Sequence, residues 1–242
     1  MVETYVIALD TDSDRFSRFT RMNHHLRFNV FRGINGNEIS LAEAIQRGFI
    51  TSDCANSGLV TKGRLGCAIS HWTLWGTTIY HKKPILILED DVVTHKDIQH
   101  WINRFDFPKR TDIVLFGINT DSVLSAISPE GVRQVSIYED ENPDYDLISR
   151  TLAITKTSDV RLWRLLNGFG LCSYLITPEG ASKLVESALP LRLDAIEIPL
   201  VPDNVAGIGA DRRLNALYPT LRAYVSVPFL AWTPNSESTT SG

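Results

Sequence analysis

The sequence predicts an α/β fold built on a mainly parallel central sheet. Strand-like and helix-like segments alternate through the first half of the chain, as expected when helices cross over between parallel strands. Ile85-Leu86-Ile87-Leu88 is apolar at every position, the mark of a strand buried on both faces. Glu89-Asp90-Asp91 follow it directly, which puts three carboxylates at the carboxyl end of that strand, where open α/β sheets gather ligands. No repeat and no linker divides the 242 residues. One domain over 1–242 is therefore expected, with a polar tail from about 235.

Each element has a local reason. Tyr5 to Leu9 is an aromatic and aliphatic strand ending at Asp10. Asp12 to Leu26 is helical, with Phe16, Phe19 and Met22 spaced by three. Phe28 to Phe31 is a short strand, and Gly33-Ile34-Asn35-Gly36 is a turn. Ser40 and Glu43 form a capping box for a short helix. From Thr61 or Gly63 to Tyr80 runs a longer helix, with Leu65, Ala68, Ile69, Trp72, Trp75 and Ile79 on its apolar face. His95 to Phe105 is helical and Asp112 to Phe116 is a second buried strand. Val132–Tyr138 and Thr151–Thr155 are expected to pair as antiparallel strands around a solvated acidic loop, Glu139–Asp146. Leu171 to Ile176 is a strand, and Thr177-Pro178-Glu179 starts a helix with Pro in its first turn. Pro190 to Gly209 reads as a long loop, Asp211 to Leu217 as a short helix and Leu221 to Val227 as a last strand.

Composition narrows the function classes. Hydrophobic residues at 43% and charged residues at 21% describe an ordinary globular chain. A formal charge of −4 gives no strong nucleic-acid signal. Cys54, Cys67 and Cys172 are odd in number and widely spaced, which fits a reducing compartment without a disulfide framework. No secretory signal or membrane-spanning run is apparent, so cytoplasmic residence is the expectation, with peripheral membrane association as its variant.

Three adjacent carboxylates repel one another and lose hydration unless a cation or strong donors compensate. Oxygen ligands of this kind suit Mg²⁺ or Mn²⁺; the competing reading is a solvated acidic turn. Cys67 and His71 lie four apart on one helix face, half of a zinc site or a Cys-His nucleophile pair. No second pair at ligand spacing accompanies them, so Cys67 reads as a small core residue and Ser70 and His71 as facing a pocket.

Several segments resemble glycosyltransferase family 25, which includes lipooligosaccharide and collagen galactosyltransferases. They are Val6-Ile7-Ala8-Leu9-Asp10 with Asp14-Arg15-Phe16; Phe28-x-x-Phe31-x-Gly33-x-Asn35-Gly36; Gly66-Cys67-Ala68-Ile69-Ser70-His71; Ile87-Leu88-Glu89-Asp90-Asp91-Val92; and Gly170–Thr177 with Tyr174, followed by Gly180-Ala181. They occur in family order across nearly the whole chain. Two positions depart: Arg64 stands where the family often has Glu, and Ala8 where it often has Asn.

The resemblance implies a GT-A-like, Rossmann-like nucleotide-sugar fold and inverting, metal-dependent transfer of a hexose, galactose by analogy, from a UDP-sugar to a hydroxyl acceptor. A lipooligosaccharide glycan is the first acceptor; a protein or a modified nucleobase is the alternative. Asp91, helped by Glu89 or Asp90, would hold Mn²⁺ or Mg²⁺. Arg15, Ser70, His71, Glu89, Asp90 and Tyr174 are the candidate donor-binding residues. Inversion needs a base facing the acceptor hydroxyl, with Asp211 the first candidate and Asp194 its rival. Competing functions are a non-catalytic binding domain, which Arg64 and Ala8 would suit, and a metal-dependent phosphoesterase, which lacks a second acidic cluster.

Overall fold

The computed structural model describes residues 1–120, 122–137, 143–196 and 205–235. The chain opens with β1 (Glu3–Ala8), α1 (Asp14–Met22) and β2 (Asn29–Arg32). A 3-10 turn at Gly36–Glu38 leads to α2 (Leu41–Gln46), α3 (Ser52–Asn56) and α4 (Lys62–His81). Next come β3 (Ile85–Glu89), β4 (Val93–Thr94), α5 (Ile98–Arg104), β5 (Ile113–Leu115), β6 (Val123–Ile127) and β7 (Arg133–Ile137). Then follow α6 (Tyr145–Ile154), β8 (Arg161–Asn167), β9 (Ser173–Ile176), α7 (Pro178–Ala188), β10 (Ala195–Ile196) and β11 (Val205–Ala206). The order ends with α8 (Ala210–Leu217), β12 (Ala223–Val227) and β13 (Ala231–Trp232). Side-chain caps fix several helix starts: the oxygens of Ser13, Ser40, Thr61 and Thr177 each accept from a first-turn N–H.

Nine strands form the main sheet in the order β2-β1-β3-β9-β5-β12-β8-β6-β7. β1 is parallel to β2 and β3, and β12 is parallel to β5. The other neighbours are antiparallel: β9 with β3 and β5, β8 with β12 and β6, and β7 with β6. The sheet is therefore mixed, not mainly parallel as expected from simple alternation. A strand buried at every position, such as β9, reveals its two covered faces but carries no sign of its direction.

The two faces are legible side chain by side chain. Ile85 and Ile87 of β3, with Ile113 and Leu115 of β5, point toward Trp75 of α4, Leu184 of α7 and Leu214 of α8. Their neighbours Leu86, Leu88 and Val114 point the other way, with Phe116, toward Phe16 and Phe19 of α1 and Ile98 and Ile102 of α5. Helices thus cover both faces, and each such side chain contributes about 1.5–3 kcal/mol by leaving water.

Two more expectations are corrected. Residues 151–155 do not form a strand; they end α6, and β7 pairs with β6 instead. Thr151, Ile154 and Thr155 favour strands, but Asp144 caps the helix at Leu147 N (2.7 Å) and Ile148 and Leu152 bury at helical spacing. β8 was not expected, because Arg161 and Arg164 break the alternation; pairing with β12 and β6 holds it. Within the anticipated loop 190–209, β10 pairs antiparallel with β11. Residues 139–142 of the acidic loop and the tail beyond 235 lie outside the described residues.

Candidate functional site

The carboxylates stand where β1, β2 and β3 end together. Parallel register sets Ile7 of β1 opposite Glu89 of β3 and Ala8 opposite Arg32 of β2. The loop after β2 packs against the start of α4 at van der Waals limits. A Cβ on Gly66 would lie 2.3 Å from Ile34 O, and one on Gly36 would lie 1.8 Å from Lys62 O. Ser70 fastens this contact: its hydroxyl accepts from Ile34 N (2.8 Å) and donates to Gly66 O (2.7 Å). Between these elements opens a cavity of about 480 Å³. Glu89, Asp90, Asp91, Arg15, Cys67 and His71 line it, with Asp10, Ser13, Asn35 and Asn37.

Arg15 is the internal counter-charge. Its Nε lies 2.6 Å from Asp90 Oδ1 and its Nη2 3.2 Å from Asp91 Oδ2. Burial would lower its pKa, yet the charges of Asp91, Asp90 and Glu89 raise it instead. One guanidinium does not balance three acids. Asp91 is 4% exposed at its side chain, and burial pushes its pKa up to about 7. Arg15 opposes that rise, while Glu89 and Asp90 add to it. Asp91 Oδ1 is buried with no hydrogen-bond partner among the described residues. Asp90 is also raised, by burial first, with Arg15 opposing.

Glu89 behaves differently. Burial alone would raise it, but a hydrogen bond and charge from His71, with the charge of Arg15, hold it below the usual carboxylate range. His71 Nε2 is 3.2 Å from Glu89 Oε1, and His71 Nδ1 is 2.8 Å from Tyr174 Oη. Trp75 Nε1 donates to the same Tyr174 oxygen at 2.8 Å. Trp75, Tyr174, His71 and Glu89 thus form one hydrogen-bonded chain from the core to the cavity floor.

The structure brings Arg15, Ser70, His71, Glu89, Asp90 and Asp91 together on the cavity wall. It moves Tyr174, expected as a donor-binding residue, behind the wall: the ring is fully buried and reaches the cavity only through His71. Cys67, expected in the core, lines the cavity instead. Burial pushes its thiol well above the usual range, and the charges of Glu89, Asp211 and Asp91 push it further. Neither Asp211 nor Asp194, the two candidate bases, lines the cavity. Asp211 Oδ1 accepts from Arg212 N (2.8 Å) and Oδ2 from Gly170 N (3.4 Å). Asp194 is drawn away, since Arg213 Nη1 holds its Oδ2 at 2.5 Å and Arg192 lies beside it. Arg64 turns its guanidinium to Leu59 O at 3.1 Å, while its neighbour Gly63 lines the cavity.

Sequence reasoning missed Asp10, Asn35 and Asn37. The strand-end rule that selected Glu89 would have found Asp10, which follows the neighbouring parallel strand. Thr233, after β13, which opposes the rise of the Asp91 pKa, had no sequence signal. A larger cleft of about 890 Å³ opens at the opposite end of β1 and β3. Its buried acid, Asp112, is fully matched: Lys183 Nζ sits 2.7 Å from both oxygens and Arg222 N donates at 2.9 Å. Only the smaller cavity presents an unmatched carboxylate oxygen among the described residues, which makes it the candidate site.

Asp91, with its orphaned oxygen, and Glu89 and Asp90 beside it are the residues that could hold a cation, and their all-oxygen donors are of the kind that suits Mg²⁺ or Mn²⁺. No helix of the described residues is long and apolar enough to cross a membrane. No curated protein matches the chain. The crystal structure of A197 from STIV aligns with 93% of this chain and 81% of its own at 13% identity and a TM-score of 0.38. The sequence model of glycosyltransferase family 25 (LPS biosynthesis protein) matches residues 1–198, a stretch containing every cavity-lining residue named above. The chain belongs to glycosyltransferase family 25, and it is a glycosyltransferase.

Proposed function

We propose that this enzyme is a metal-dependent, inverting hexosyltransferase with a GT-A-like donor site, using a UDP-sugar, with galactose the first candidate, and a lipooligosaccharide hydroxyl as acceptor. The observation that carries the reading is the buried, unpartnered Asp91 Oδ1 on a cavity at the carboxyl ends of β1–β3. Asp91, with Glu89, would hold Mn²⁺ or Mg²⁺. The bound ion supplies positive charge against the charge that develops on the departing diphosphate.

The chain's own residues do the rest. Arg15 orients Asp90 and Asp91 and adds a fixed positive charge beside the leaving group. Asn35 and Asn37 offer amide groups to the nucleotide from the loop after β2. His71 keeps Glu89 ionised and fixed in direction. Asp211 is the favoured base, because its charge is felt at Cys67 on the cavity wall, whereas Asp194 is committed to Arg213. The base would take the acceptor proton as the hydroxyl oxygen attacks the anomeric carbon from the face opposite UDP.

The test is UDP release from a panel of UDP-sugars with and without Mn²⁺, for wild type and Asp91→Asn. Release that needs metal, favours one sugar and falls at least about a hundredfold in Asp91→Asn is expected. Equal release without metal would overturn the metal dependence. Nucleotide binding that does not involve this cavity would overturn the site.

A further inference from the structure

We propose that Cys67, His71 and Glu89 form a second metal site, selective for a thiophilic cation such as Zn²⁺, whose occupation turns transfer off. Cys67 and His71 are one turn apart on α4, and Glu89 closes the triangle from the end of β3. One ligand atom from each lies within 4.8 Å of the others, and the His71–Glu89 edge is already 3.2 Å. Tetrahedral zinc with bonds of about 2.0–2.3 Å needs ligand atoms roughly 3.3–3.8 Å apart, so small side-chain rotations complete the set. All three residues line the cavity, which leaves the fourth position open to it.

The hydrogen bonds behind His71 suit this role. Trp75 Nε1 can only donate, so it always fills one lone pair of Tyr174 Oη. The remaining hydroxyl capacity can serve His71 Nδ1 in either sense at the same 2.8 Å. When Tyr174 donates to Nδ1, Nε2 carries the proton and donates to Glu89. When Nδ1 carries the proton and donates to Tyr174, Nε2 presents a lone pair toward Cys67 and Glu89. A rotation of one O–H thus converts an ion-pair partner into a ligand whose far nitrogen is anchored, the support metal-bound histidines usually have.

The donor set selects the ion. A thiolate and an imidazole favour Zn²⁺ over Mg²⁺ or Mn²⁺, which prefer all-oxygen sites. Binding exchanges the Cys67 S–H proton for the metal: an S–Zn bond forms, and the proton leaves to water. Zinc held there captures Glu89 and sets a second dication close to Asp91, where the two cations repel. The inhibition rests on the transferase reading above; the binding does not.

The test uses the full chain with metal alone. Co²⁺ should give a one-equivalent thiolate-to-cobalt charge-transfer band that Zn²⁺ abolishes by displacement. The band should vanish in Cys67→Ser, persist in Asp91→Asn and persist in Cys54→Ser. Tyr174→Phe should weaken Zn²⁺ binding about 10–100-fold while keeping the band. A band that is absent, or that survives Cys67→Ser, overturns the site. If Cys67→Ser does not fold, an unchanged Zn²⁺ affinity in His71→Gln overturns it equally. With donor and Mn²⁺ present, Zn²⁺ should suppress UDP release in wild type but not, relative to its own rate, in Cys67→Ser. A normal cobalt band with undiminished release overturns the switch. A normal band with no UDP release under any condition supports the site and counts against the transferase reading instead.

Discussion

A buried carboxylate with one orphaned oxygen has few ways to lower its free energy: it keeps a proton or it takes a cation. Asp91 is in this position, and the consequence is measurable. Its folded pKa of about 7 lies above the ordinary value, so the folded protein holds that proton while the unfolded chain releases it. The group's contribution to stability is therefore fully present below about pH 4, and it is lost as pH rises toward and through 7. Metal-free wild type should accordingly melt lower at pH 8 than Asp91→Asn, by at least about 2 °C, and the gap should close near pH 4. Scanning calorimetry in a chelator checks this; an equal gap at both pH values would count against it. Added Mn²⁺ should raise the wild-type melting temperature at pH 8 and leave Asp91→Asn nearly unmoved. Tyr174 offers a second residue-scale prediction. Tyr174→Phe strands Trp75 Nε1 in the core and should cost about 1–3 kcal/mol in urea unfolding.

At the scale of elements, the site depends on how closely two segments approach. α4 meets the loop after β2 with backbone against backbone, so Gly66→Ala would drive a methyl into Ile34 O. We expect that variant to lose several kcal/mol or to fail to accumulate, whereas Gly76→Ala, with nothing near its Cβ, should be stable. Expression and melting of the pair check it. Much of this was legible beforehand. Ser40, Thr61 and Thr177 announced their helices, and Ile85–Leu88 announced its strand, because caps and apolar runs act locally. The acids after that strand were equally legible, since position at a strand end follows from chain order. Strand direction at β9, the helix at 145–154 and the pairing of β8 were not, because each is decided by partners distant in the chain. For the same reason the resemblance left Tyr174 as either a pocket residue or a core residue, and only the packed sheet shows that His71 stands in front of it.

For the whole molecule, the family match ends at 198, yet β12 (Ala223–Val227) lies inside the main sheet between β5 and β8. A chain cut after 198 should therefore not fold, since it would open the middle of the sheet rather than trim an edge. Soluble yield and circular dichroism of that fragment decide the point. α8, which carries Asp211, packs on α7 and α4, so the candidate base is tied to the same core as the acids.

The placement of β9 also has a meaning in time. Chain leaves the ribosome from the N-terminus, so β1, α1, β2, α4 and β3 emerge long before residues 173–176. Until those residues arrive, β3 has β1 on one side and an unpaired edge on the other. The acidic corner is thus encoded early but completed late: for about a third of synthesis the apolar β3 segment has been made while the strand that covers its second edge has not.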